Sequence, residues 1–293
     1  MSTAMSTKKD TLPFAVAAGV ELHGEIITWS CAGGAIRHYE LIDALSGSGL
    51  DPKVARDMLP RNAFARACRK LAEARIIRKV SEDEDLMRFQ FTAERKEGDS
   101  YQYEKETILT LRKADGEIDC DLPGLATLAK EALDEAMGIR TAGDITAVIQ
   151  RLFHKQADLF PIRDQGGCYF VPRRHVAFVD RIESFVGRVN GALGRFPIPK
   201  GTGRGDESVR VSVAAGLEAM IREHERAVEE FGADTRASTF ERAAGRIRDT
   251  RFKVESYAEY LGSEKARLEA AVAVASRKLR HRVAEITRGR EGA

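Results

Sequence analysis

The residues best placed to do chemistry in this chain are cations. Over Arg61 to Val80, RNAFARACRKLAEARIIRKV, the residues Phe64, Cys68 and Leu71 recur at helical spacing, while Arg66, Arg69 and Lys70 point away from that stripe. Arg61, Arg75, Arg78 and Lys79 flank it, and only Glu73 opposes them. A single helical segment of this kind packs on its apolar side and meets phosphates on the other, with Asn62 available to read a base edge. Arg95 and Lys96 fall in a downstream polar loop, where they would touch flanking phosphates. The candidate nucleic-acid contacts are therefore Arg61, Asn62, Arg66, Arg69, Lys70, Arg95 and Lys96. The competing reading is a solvated helix face. Glu94, Glu97 and Asp99 share the loop and would repel a phosphate backbone.

Other clusters carry less. Arg277, Lys278, Arg280, Arg282, Arg288 and Arg290 near the end of the sequence suit the outer face of a coiled coil better than a phosphate surface. GTGRG at 201–205 lacks the GxxxxGK[ST] order of a phosphate loop and reads as linker. Arg173-Arg174-His175 fits the polar start of a helix. His154, Cys168 and His175 share no element at ligand spacing, and neither GxSxG nor HExxH occurs, so no metal, cofactor or enzymatic activity is expected. Asp83, Glu84 and Asp85 look like an exposed turn. Cys31, Cys68, Cys120 and Cys168 form no CxxC pair and read as reduced thiols.

The elements that must position these residues follow from pattern and punctuation. A length of 293 residues, 43% hydrophobic and 31% charged, suits several modest cores under a charged surface. The net charge of +2 means that any attraction for nucleic acid must be local. No stretch approaches the roughly 18 apolar residues of a membrane span, and no leader pattern precedes the first element, so a cytoplasmic protein without membrane contact is expected.

After a flexible N-terminus (1–20), Glu25 to Cys31 reads as a strand, broken by Gly33-Gly34. A helix bearing Ile36, Tyr39, Leu41, Ile42 and Leu45 ends at SGSG, 46–49. Asp51-Pro52 opens a short helix through Met58, closed by Pro60, and the basic helix follows. From Asp85 the period becomes two, through Met87, Phe89 and Phe91, across the polar loop AERKEGDS, and on through Tyr101, Tyr103, Leu109 and Leu111: a β-hairpin. Helices over Leu122–Met137 and Thr141–Lys155 then precede a tight hairpin, 159–171, that turns at Asp164-Gln165-Gly166-Gly167. Val176 to Val189 marks a further helix.

Three helices and a hairpin over 21–120 resemble the winged-helix superfamily in element order, and 121–190 would be a second, smaller unit of that kind. A linker over 191–208 leads to long helices over 209–290, cornered at Gly232 and Gly262-Ser263. The expected fold is mainly α with small β-hairpins (α+β): a tandem winged-helix-like N-terminal half followed by a C-terminal helical bundle or coiled coil. The string RNAFARACRKLAEARIIRKV, with GGCYFVPRRH later, resembles an uncharacterised family of prokaryotic, viral or plasmid-borne proteins, which implies no activity and transfers no site residue. The expected function is non-enzymatic nucleic-acid binding, with DNA as partner and homo-oligomerisation through the C-terminal helices. The alternative is an assembly protein that binds no nucleic acid.

Overall fold

The computed structural model describes residues 19–31, 35–72, 75–163 and 166–291. The expected N-terminal segment through residue 18, Gly33-Gly34, Glu73 and the Asp164-Gln165 part of the hairpin turn lie outside the described residues. In chain order the elements are β1 (Leu22–Ser30), β2 (Ile36–Arg37), α1 (His38–Ser46), a 3-10 turn (Pro52–Val54), α2 (Pro60–Lys70), β3 (Arg75–Glu82), β4 (Leu86–Glu97), β5 (Ser100–Arg112), β6 (Ile118–Asp119), α3 (Pro123–Gly138), β7 (Ile139–Arg140) and α4 (Ala142–Gln156). There follow β8 (Phe160–Pro161), β9 (Cys168–Pro172), a second 3-10 turn (Arg173–His175), α5 (Val176–Arg188), β10 (Ala192–Pro199), α6 (Gly203–Glu229), α7 (Ala237–Ser256), α8 (Ala258–Leu261) and α9 (Glu264–Glu291). The chain is a mixed α+β protein with small antiparallel sheets, and it divides into two compact units. The bundle unit holds the described parts of 1–30, 153–183 and 192–293; the α2 unit holds those of 31–152 and 184–191.

In the α2 unit, Pro60 does not close the preceding turn. It takes the first position of α2, where its missing N–H costs nothing. Asp51 caps the 3-10 turn by accepting from the Lys53 amide at 2.9 Å, but that turn ends at Val54 and not at Met58. The basic helix stops at Lys70, well short of Val80. Beyond it the β-branched run Ile76-Ile77 and Val80 belongs to β3, so Arg75, Arg78 and Lys79 are strand residues and the cationic face is shorter than its sequence suggests. Ala63, Phe64, Ala67 and Cys68 on α2 interlock with Met87, Phe89 and Phe91 of β4, Leu109 and Leu111 of β5, and Ala129, Ala132 and Leu133 of α3. The sheet order is β3-β4-β5-β6. Its long hairpin turns only at Gly98-Asp99, with Gly98 at φ +63°, so most of AERKEGDS is strand, and Arg95 and Lys96 stand in β4 rather than in a loop.

The second winged unit expected over 121–190 does not form. α3 shares the core of α2, whereas β8 and β9 join β1 and β10 in the sheet β10-β1-β9-β8 of the bundle unit. A two-residue strand such as β8 cannot bury a face alone, and β1 supplies the long neighbour that the hairpin needs. Gly24 permits that pairing, since a Cβ there would fall 2.1 Å from the Val171 carbonyl oxygen. Where a linker was expected over 191–208, the chain forms β10, paired with β1 over Leu22–Ser30, and then opens α6.

The three long helices of the bundle unit run up, down and up. Phe231 meets Phe240 and His224 reaches Thr250, so α6 and α7 are antiparallel; Glu218 pairs with Arg267 and Glu225 with Lys278, so α6 and α9 are parallel. The expected apolar stripes, with Leu217 and Ile221 on α6, Ile247 and Val254 on α7, and Leu268, Val272 and Leu279 on α9, close on one another inside one chain. Each such side chain contributes about 1.5–3 kcal/mol on burial. Gly262, at φ +53°, makes the corner before α9.

Candidate nucleic-acid interface

The structure sorts the cations of α2 by what they touch. Thr141 precedes α4, and Asp144, three residues on, accepts the Thr141 amide at 2.7 Å and its hydroxyl at 3.0 Å, so that its carboxylate holds the start of the helix. The same carboxylate takes a two-pronged bond from Arg66, at 2.6 and 2.7 Å, which fixes α2 to α4. Burial alone would push the Asp144 carboxyl up, but the bonds from Arg66 and Thr141 more than offset it and hold it below the usual carboxylate range. Lys70 pairs with Glu135 of α3 at the surface. Arg61, Asn62 and Arg69 make no side-chain hydrogen bond or ion pair among the described residues. Arg95 and Lys96 lie five or so strand positions past the part of β4 under α2, roughly 15 Å along at about 3.3 Å per residue. Arg95 lies 3.9 Å from Glu104, and Lys96 pairs across the ladder with the exposed Tyr101. The seven predicted residues therefore occupy two places, not one surface.

Asn62, Arg66 and Arg69 share a cleft of about 460 Å³ with three arginines that sequence reading missed: Arg56, Arg140 and Arg151. Leu41, Met58 and Val148 add apolar wall. Arg140 is 4% exposed, and its guanidinium donates to the carbonyls of Met137 and Ile139 at 3.0 and 3.1 Å. Burial lowers its proton affinity; Asp144 opposes that, Arg66 adds to it, and Asp57 opposes it more weakly. Burial and then repulsion from Arg56 do the same to Arg151, which donates to the Val54 carbonyl. Asp57, the other acid of the cleft, meets His38 at 3.1 Å. No local pattern announces this group: Arg140 sits on a two-residue strand, Arg151 mid-helix and Arg56 after a 3-10 turn.

A second charged cluster lies in the bundle unit. Asp158, its side chain 8% exposed, accepts from Lys253, Tyr257 and Arg174 and lies 3.6 Å from His175, while Arg174 also stacks over the Tyr257 ring at 4.1 Å. Burial would raise the Asp158 carboxyl, yet its donors hold it far below the usual range; burial, then Asp158, pushes Tyr257 far up. His175 is thereby engaged in a polar brace rather than aimed at a metal. No group of three His, Cys, Asp or Glu side chains with ligand geometry occurs among the described residues. Near the end of α9, Arg282 donates to the Phe231 carbonyl, and Arg290 to those of Ala233 and Thr235, closing the corner between α6 and α7. GTGRG follows strand β10 and opens α6, without the lysine a phosphate loop needs.

A family model matches residues 22–288, from β1 into α9 and across both units. The chain belongs to DUF6744, a family of unknown function. No curated protein and no solved structure matches it. The DUF6744 match thus spans the arginine cleft and the Asp158 brace alike and assigns chemistry to neither. Among the described residues, no helix is long and apolar enough to cross a membrane.

Proposed function

We propose that this DUF6744 protein is a non-enzymatic nucleic-acid-binding protein that meets phosphates through the α2 unit. The observation that carries the reading is the arginine cleft that runs along α2 from Leu59 to Arg69. There Arg56, Arg69, Arg140 and Arg151 have no carboxylate partner among the described residues, and the first turn of the helix contains no acid. At the Leu59–Asn62 end of the cleft the positive end of the helix dipole adds to their field, whereas Arg69 lies in the last turn. α2 followed by β3 and the β4–β5 hairpin supports a single winged-helix-like arrangement, in which α2 faces the nucleic acid and Arg95 and Lys96 stand on the wing. DNA is the proposed partner. A cytoplasmic location accords with four free cysteines.

Fluorescence anisotropy with a labelled duplex and a labelled single strand, at two salt concentrations, tests this. Arg61 and Arg69 are the positions to reverse, because they have no partners whose loss would disturb the fold; Arg66 would leave Asp144 unpaired. Steep salt dependence, lost in R61E/R69E at unchanged helicity, is expected. Salt-independent or unaltered binding would reject the proposal.

The alternative, an assembly protein that self-associates through its C-terminal helices, must use their outer faces, because the inner stripes are spent within one chain. It is favoured by an apolar groove whose open rim is formed by the exposed Ala244 and Ala284 beside Phe240 and Val283, which are only partly buried against the core. A concentration-independent dimer in light scattering, abolished by A284E at a position exposed in the single chain, would support it.

A further inference from the structure

The cleft beside α2 holds more positive charge than its own acids answer. Asp144 is committed to Arg66 and Thr141, and Asp57 to His38. Arg140 is the informative residue. A guanidinium this buried is normally matched by a carboxylate, since neutral carbonyls satisfy its N–H groups but not its charge. Asp144 and Asp57 act on that charge through space, but neither forms an ion pair with it among the described residues, while Arg56, Arg66, Arg69 and Arg151 line the same space.

Size and depth narrow the ligand. About 460 Å³ falls within the range of small-molecule sites, roughly 300–1,000 Å³. A phosphodiester inside a strand offers one negative charge and two free oxygens, whereas a phosphomonoester near neutrality carries about −1.5 to −2 and three acceptor oxygens. Several guanidinium groups lining one concave site match the second. A terminal group can also reach a buried arginine that a continuous backbone, running past the mouth, does not.

We infer that this cleft is a phosphomonoester site, taking the terminal phosphate of a mononucleotide or of a polynucleotide end, with Arg140 at its floor and Arg56 and Arg69 closing over the phosphate. This rests on, and sharpens, the nucleic-acid reading of the α2 face. The asymmetry between Arg66, tied into the fold by Asp144, and the four arginines without an ion-pair partner among the described residues defines which residues bind.

The test is titration calorimetry of the full chain with AMP and with adenosine, together with anisotropy of one oligonucleotide carrying either a 5′-phosphate or a 5′-hydroxyl. AMP should bind and adenosine should not. The 5′-phosphate should strengthen oligonucleotide binding by at least about tenfold, and R140Q and, separately, R56Q/R69Q should each remove that gain. R56Q/R69Q changes only side chains without partners, so it reports on binding even if R140Q perturbs β7. Equal, salt-sensitive binding of both oligonucleotides with no response to AMP would overturn the inference and leave the nucleic-acid reading standing. AMP binding with neither oligonucleotide bound would uphold the site and reject that reading.

Discussion

Asp158 in the bundle unit and Arg140 in the α2 unit are both buried charges, and they are treated in opposite ways. Asp158 gathers Lys253, Tyr257 and Arg174 around it, and nothing is left over for a ligand. Arg140 gathers two neutral carbonyls and lies among other arginines. A buried charge paired with opposite charge is a brace; one without an ion-pair partner, set among like charges at the edge of a cleft, favours an anion.

The largest effect should come from removing the centre of the brace. D158N leaves Lys253 and Arg174 facing a neutral amide, and urea unfolding should show a loss of about 3 kcal/mol, the low end for breaking a buried pair because Lys253 is partly exposed. The same substitution should flatten the acid limb of stability. Asp158 titrates lower in the folded chain than in the unfolded one, so its stabilisation is complete above the unfolded pKa of about 3.9 and is lost as pH falls below it toward the folded value. Thermal melts between pH 5 and about 2 should therefore fall steeply in the wild type and less in D158N. A wild-type curve that is flat in that window would contradict the brace.

R66A should come next, at about 2 kcal/mol, because it strands the half-buried Asp144 between two helices. R140Q sharpens the contrast: it removes a charge without an ion-pair partner together with two backbone bonds, and should cost only about 1 kcal/mol while abolishing phosphate binding. If R140Q instead matches D158N in severity, Arg140 is a structural residue and the two sites are alike. R61E should leave stability within about 0.5 kcal/mol. As a probe of the core beneath, the Cys68 thiol, pushed up to about 12 by burial, should stay unmodified by iodoacetamide at pH 8 in the native protein, while the partly exposed Cys168 reacts.

Element type was legible wherever periodicity was sustained. The stripes of α6, α7 and α9 and the alternation of Met87, Phe89 and Phe91 were spaced correctly for the faces they bury. Boundaries were lost where one property spans two structures: Arg69-Lys70 and Arg78-Lys79 are equally cationic, but β-branched Ile76-Ile77 between them converts helix to strand. Composition misled over 191–208. Its Gly and Pro residues suggested a linker, yet β1 was waiting as a partner for an edge strand that tolerates proline. The cleft was half visible. Asn62, Arg66 and Arg69 share one helix, but Arg56, Arg140 and Arg151 reach it from three other segments and carry no motif. Charge counting also could not show that Arg66 is spent on Asp144, since 78 residues separate them.

The most direct measurement is the urea midpoint of the wild type and R140Q, each with and without AMP at constant ionic strength. AMP at about a hundred times its Kd should stabilise the wild type by about 2.7 kcal/mol and leave R140Q, itself only slightly weakened, where it was. No shift in the wild type, or the same shift in both, would contradict the claim that the arginine cleft exists to hold a phosphate.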